Sequence, residues 1–215
     1  MQTAQPRKRG DTGGPDRDPV TLEELKANSN ITTTADDEFI ATLIQAATDY
    51  TEQLTGRILV PRTVDFKCDA FPAWDEAPIR LPFPPLISIT SVKYYDSADT
   101  LQTWDASKYE IDAKPEYGGL LYPIKGEGWP AERAFRDSVQ IEYIAGYDPL
   151  STTNNADRVP RPLKQAIIML ASHLYENREA TTVGTNYFIQ QAPMAYTALI
   201  ANYRVRQVNY HVRQV

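Results

Sequence analysis

Apolar residues change their spacing along this chain, and each change marks a different kind of element. Between Asp36 and Gly56, the positions Phe39, Ile40, Leu43, Ile44, Ala47, Tyr50 and Leu54 recur every three or four residues. That spacing puts them on one stripe of an α-helix. Thr32, Thr33 and Thr34 precede it with Asp36, Asp37 and Glu38, acids that favour the positive end of a helix dipole. Gly56 is the expected stop, because glycine adopts the left-handed C-cap conformation at little cost. Upstream, Thr21 and Glu24 have the spacing of a capping box, worth on the order of 1 kcal/mol. Leu22 and Leu25 give this shorter helix one apolar side.

From Arg57 the period falls to two. Val64, Phe66 and Cys68 alternate with Thr63, Asp65 and Lys67, and similar patterns recur at Ile87, Ile89 and Val92, at Tyr109 and Ile111, and at Val139, Ile141 and Tyr143. These read as antiparallel strands. Pro82, Pro84 and Pro85, the stretch 96–99, Gly118 with Gly119, and Gly126 with Gly128 supply turn chemistry between them. The helical period returns after the polar stretch 151–158. Pro160 and Pro162 suit a first helical turn, and Leu163, Ala166, Ile167, Leu170, Ala171, Leu174 and Tyr175 form an apolar face expected to run to about Ala180. A segment containing Gly184 leads to a last helix with Ala195, Leu199, Ile200 and Tyr203 as candidate anchors.

Two helices alone bury little surface, so the early and late helices are expected to pack on each other. The predicted fold class is therefore α+β: a small helical bundle from residues 20–56 and 159–203, with an antiparallel β-rich unit inserted at 57–150. Residues 1–19 combine Gly, Pro and charge with few apolar side chains, which predicts a flexible arm. Residues 204–215 form a basic tail.

Charge sharpens this division. The 215 residues carry a formal charge of −6, the first 19 sum to +1 and residues 204–215 to +3, which leaves −10 for 20–203. An acidic body is a poor sequence reader of DNA, whose affinity comes mostly from Lys and Arg on phosphates. It either keeps the protein in solution or repels a duplex usefully, as the wall of a conduit does. No apolar run approaches the ~18 residues of a membrane span, and the first 19 residues lack a secretory apolar stretch. One cysteine and two histidines make neither an internal disulfide nor a typical structural zinc site.

Few residues invite chemistry. There is no G-x-S-x-G, no G-x-x-x-x-G-K-[ST] and no H-E-x-x-H, so no catalytic residue, cofactor site or metal site is assigned. His173 shares a helix face with Glu176 but has no second histidine near it, and a structural role fits it better than ligation. His211 reads as solvated. Asp75 and Glu76 resemble the carboxylate pair of a glycosidase only in composition, since neighbours on a strand point to opposite faces. Cys68 alternates with Phe66 and reads as a small buried hydrophobe. Trp74, Trp104 and Trp129 could stack on a sugar or base, or pack over sheet edges. In the tail, Arg204, Val205, Arg206, Val208, Tyr210, Val212 and Arg213 alternate loosely, which fits either a disordered tail or a strand added to another chain's edge.

Four stretches, in order, resemble the head-tail connector or adaptor proteins of tailed bacteriophages and gene-transfer particles. They are 20–26 (VTLEELK) with 36–40 (DDEFI), 81–96 (LPFPPLISITSVKYYD), 159–166 (VPRPLKQA) through 175–179 (YENRE), and 198–204 (ALIANYR). The resemblance runs from about residue 20 to 204 and leaves the arm and tail outside. It implies a non-enzymatic protein of the virion neck, made in the host cytoplasm, that closes into a ring of about twelve copies through heterologous contacts. Its implied partners are the portal protein above it and a stopper or tail-completion protein below. DNA would pass through its channel without sequence-specific binding, and no membrane is involved. By the same resemblance Tyr203, Arg204, Val205, Arg206, Val208 and Tyr210 are the candidate portal-binding residues. Glu176, Arg178 and Glu179 are candidate subunit-interface residues, the alternative being ion pairs within their own helix. Two other readings compete: a stopper or tail-completion protein, and a carbohydrate-binding or hydrolytic β module using the tryptophans with Asp75 or Glu76.

Overall fold

The computed structural model describes residues 3–6, 18–72, 77–114, 118–133, 135–147, 158–177 and 194–205. Helix α1 (Leu22–Asn28) begins at the expected capping box: the Glu24 N–H donates to Thr21 Oγ1 at 3.2 Å, and the Thr21 N–H donates to Glu24 Oε2 at 3.1 Å. Helix α2 (Asp37–Thr55) buries Ile40, Ile44 and Ala47 and closes at Gly56, whose φ of 68° is the left-handed cap. Phe39 and Tyr50 lie at the rim of the stripe, 39% and 44% exposed, instead of within it.

Helix α3 (Arg161–Glu176) carries Pro162 in its first turn and buries Leu163, Ala166, Ile167, Ile168, Leu170 and Ala171. It ends before the expected position near Ala180, at Asn177, whose backbone leaves the helical region (φ −112°, ψ 70°) and whose side-chain amide donates to the His173 carbonyl. Helix α4 (Met194–Ala201) packs on the helical core through Leu199 and Ile200, with Tyr203 just beyond it, as its spacing predicts, but Ala195 is exposed and Tyr196 is buried in its place. Tyr196 gains a polar partner there, its hydroxyl lying 3.0 Å from Thr51 Oγ1 on α2.

The described residues also form eight strands: β1 (Thr3–Pro6), β2 (Arg62–Cys68), β3 (Ile79–Leu81), β4 (Leu86–Tyr95), β5 (Leu101–Trp104), β6 (Tyr109–Lys114), β7 (Gly118–Pro123) and β8 (Val139–Ala145). The larger sheet has the order β1-β2-β8-β4-β5 and the smaller β3-β7-β6, with every pairing antiparallel. Period-two burial holds best on β8, where Val139, Ile141, Tyr143 and Ala145 all face inward. On β4 it breaks at two register shifts, between Leu86 and Ser88 and between Ile89 and Ser91. Those bulges bury Leu86 and leave Ile87, expected inside, 46% exposed.

Two expectations need correcting. Gly118 and Gly119, read as a break, begin the central strand of the smaller sheet. A Cβ at Gly118 would collide with the Leu81 carbonyl, and one at Gly119 with the Leu86 side chain. Glycine is used here for close approach, not for turning. The flexible-arm expectation for 1–19 fails at its start, because Thr3–Pro6 pair with β2, Thr3 opposite Lys67 and Pro6 opposite Val64. A strand edge rewards any backbone that offers N–H and C=O groups, so apolar content is not required.

The described residues therefore form two cores. One lies among the helices and includes Leu25, Ile40, Ile44, Leu163, Ile167 and Ile200; the other lies within the β unit and includes Val64, Phe66, Leu81, Trp104, Leu121 and Ile141. The chain passes from one to the other between Ile58, which belongs to the β core, and Leu59, which belongs to the helical one.

Candidate functional site: the root of the C-terminal tail

The last turns of α2 hold the joint between the two cores. Thr48, Thr51 and Thr55 are buried, and each hydroxyl donates back to the carbonyl four residues earlier at 2.7 Å. Glu52 follows them into the interior at 7% exposure. Its Oε1 accepts from the Leu59 N–H at 2.6 Å, and its Oε2 is 2.5 Å from Arg62 Nη2 at the start of β2. One carboxylate thus ties the end of a helix to the connector and to the first strand beyond it. Such charge-assisted bonds are the strong ones, provided the carboxylate's remaining capacity is also met.

Arg57, directly after the cap, is buried to 6% exposure. Its Nε donates to the Tyr203 carbonyl at 2.6 Å, and its Nη1 lies 3.4 Å from the Tyr147 hydroxyl. Burial pushes the Tyr147 hydroxyl above its ordinary value, and the guanidinium beside it offsets only part of that rise. The Val205 N–H donates to the Thr55 carbonyl at 2.7 Å, so the tail satisfies one of the carbonyls that every helix leaves open at its C-terminus. The Val205 side chain also lies over Gly56. Residues 203–205 are therefore fixed against the end of α2.

The structure brings part of the predicted portal-binding segment to this place: Tyr203 packs on the helical core, Arg204 is exposed and Val205 is half-buried. Arg206, Val208 and Tyr210 lie outside the described residues. Of the predicted interface residues Glu176 is exposed at the end of α3, while Arg178 and Glu179 also lie outside. Glu176 and His173 line a shallow groove of about 280 Å³ with Asn28, Gln165, Met169 and Ser172. Among the described residues no three His, Cys, Asp or Glu side chains are grouped as a metal would need, and no helix is long and apolar enough to cross a membrane.

The other candidates resolve into packing where they are described. Trp129 stacks on Phe71 and Trp104 meets Phe71 edge-on, with ring centroids 5.0–5.9 Å apart among the three, and Trp104 is 6% exposed. Trp104 belongs to the β core and Trp129 packs against it. Cys68 is buried, and desolvation pushes its thiol up to about 12. Trp74, Asp75, Glu76 and His211 lie outside the described residues. Glu52 and Arg57 were missed by sequence reasoning. The available signal was a lone arginine between a helix-stopping glycine and the apolar run Ile58, Leu59, Val60.

A family model described as "Phage gp6-like head-tail connector protein" matches residues 19–114 and 131–204. The chain belongs to that family. Head-tail connectors are structural proteins, and the match takes in both helical segments, most of the β unit and the first residue of the tail. The unmatched stretch 115–130 contains β7, the central strand of the smaller sheet. Among solved structures, the fold is similar to a chain in the "Neck of empty GTA particle computed with C6 symmetry", at TM-score 0.69 and 19% identity over 96% of this chain and 97% of that one. A chain in the "Virion of native gene transfer agent (GTA) particle" gives 0.68 and 19% over 95% and 96%. One in the "Neck of native GTA particle computed with C12 symmetry" gives 0.67 and 18% over 96% and 97%. No curated protein matches this connector-family chain.

Proposed function

We propose that this connector acts as a head-tail adaptor in a virion neck, assembled as a ring of about twelve copies beneath the portal. The ring extends the DNA channel and presents a platform to a stopper or tail-completion protein. The observation that carries the reading is the fixed root of the tail at residues 203–205 in a connector-family chain, because a docking tail needs a defined take-off to reach its partner in register. The sixfold and twelvefold symmetries of similar necks support a ring, and the twelvefold one supports the copy number. The acidic body supports a channel wall that DNA slides past without sticking. Glu176, with Arg178 and Glu179, is our candidate for contact between neighbouring copies, and Tyr203, Arg204, Val205, Arg206, Val208 and Tyr210 for the portal.

The test is to mix the purified protein with the portal ring of the same particle and image the mixture by electron microscopy. A ring stacked coaxially on the outer end of the portal is the expected result. A bare portal, with the protein on tail tubes instead, favours the stopper or tail-completion reading. Truncation after Val205 keeps the anchored root, so it is expected to leave the melting temperature unchanged while abolishing portal attachment; undiminished attachment removes the tail from the portal interface.

A further inference from the structure

The strand β1 is an outlier in this fold. It covers the open edge of β2 with four residues, Thr3 to Pro6, paired in register with Val64 to Lys67. Thirteen residues, 7–19, separate it from the start of the helical core at Val20, and they include Gly10, Gly13, Gly14, Pro15 and Pro19. That length reaches at most roughly 45 Å, which sets how far away an adjacent copy's edge can lie and still receive the strand. Pairing rests on main-chain groups in a fixed register, and these are identical whether the strand comes from the same chain or from another.

We propose that β1 is exchanged: it caps its own β2 edge in the free protein and adds to the β2 edge of the neighbouring copy in the assembled ring. This rests on the ring reading above. The energetic argument is one of near-balance. A short tether holds a strand near its own edge at an effective concentration of about millimolar, and a neighbour locked alongside offers an equivalent edge at a comparable value. Exchange of an identical element therefore costs little. It also provides the geometry a closed ring demands, since each copy gives its strand on one side and receives one on the other, a heterologous contact. In the free chain the same strand shields β2, whose bare edge would otherwise be a template for uncontrolled pairing.

The experiment uses full-length chains carrying Cys68→Ala to remove the native thiol. Chains with only Thr3→Cys are mixed with chains with only Lys67→Cys, so that a disulfide joins two copies or does not form. Covalent dimers are expected once rings assemble on the portal, and none in the free mixture at equal concentration. The double variant in a single chain is expected to close on itself when free. Rings seen by microscopy without covalent dimers overturn the exchange and leave the ring reading intact; a mixture that never forms rings overturns both. A double variant that forms no disulfide in either state also overturns the proposal, because β1 would then not occupy this edge. Deleting residues 1–6 gives an independent check: the free chain is expected to keep its helical signal while ring occupancy on the portal falls by about tenfold or more. Undiminished occupancy counts against the exchange.

Discussion

The helical bundle and the β unit are built from opposite relations between sequence and space. The bundle joins residues 20–56 to α3 and α4, segments separated by about a hundred residues, through a mainly aliphatic core that also takes in Tyr147 and Tyr196. The β unit is almost contiguous in sequence, from Ile58 to Ala145, and its core gathers Phe71, Trp104 and Trp129 with Tyr94 and Tyr109 around it. The bundle must bear the entropy of closing a long loop, and the β unit shortens that loop, because β2 and β8 pair with Arg62 opposite Ala145 and so bring the two ends of the unit together. The inserted unit thus acts as a folded bracket that brings the two halves of the bundle together. Damage should then spread from the β unit to the bundle and not in the reverse direction.

Leu170→Asp tests the second half of that statement and carries the largest effect. Leu170 is 6% exposed in the helical core, and an unpaired carboxylate there costs more than about 4 kcal/mol. The far-UV helical signal is expected to collapse while the near-UV signal of the tryptophans persists; loss of both would make the two cores one unit. Trp104→Ala tests the first half. Removing a large aromatic from the Phe71 and Trp129 cluster costs about 3–5 kcal/mol, and the helical and aromatic signals are both expected to melt at a lower temperature. A bundle that keeps its wild-type midpoint would remove the bracket from the account.

Glu52→Ala addresses the joint. The substitution leaves Arg62 without its carboxylate and the Leu59 N–H without its acceptor, at about 3 kcal/mol. Its signature in calorimetry is expected to be a split of one transition into two, because the shared carboxylate is what couples the cores. A single transition, merely shifted, would place the coupling elsewhere.

The smallest effect concerns α1. Burial tends to raise the Glu24 carboxyl, but the Lys164 ammonium at 2.9 Å and the Thr21 N–H together hold it below its ordinary value of 4.5. A depressed carboxyl stabilises the fold above its unfolded-state range, and that contribution is lost as pH falls through the folded value. Lys164 and Glu24 are partly exposed, so the pair is worth less than about 1 kcal/mol. Lys164→Met is expected to move the Glu24 titration midpoint upward in a carboxyl NMR titration. An unmoved midpoint would show that Thr21 alone accounts for the depression.

The helices were the most legible part of the fold, because spacing, capping box and C-cap glycine all agree at Thr21, Glu24 and Gly56. On β2 and β8 one face is buried throughout, so alternation survives in the sequence. The smaller sheet left only Tyr109 and Ile111 of β6 as such a trace. Its strand β3 has only three residues, and β7 opens with two glycines selected for close approach. Strand β1 was invisible because an edge can be covered by backbone alone. At the site, Tyr203 was legible as an apolar residue beside a basic run. Glu52 and Arg57 were not, since a charged residue on an otherwise amphipathic helix and one just past its end read as solvated until the fold folds back over them.

Cys68, the sole thiol, gives the protein a built-in stopwatch. Its sulfur is sealed on the inner face of β2 and held protonated well above neutral pH, so an alkylating reagent must wait for the sheet to open before it can react. The rate of labelling in native buffer therefore times the opening of the β unit alone. Comparing that rate free in solution and within an assembled particle would weigh how tightly assembly clamps each subunit.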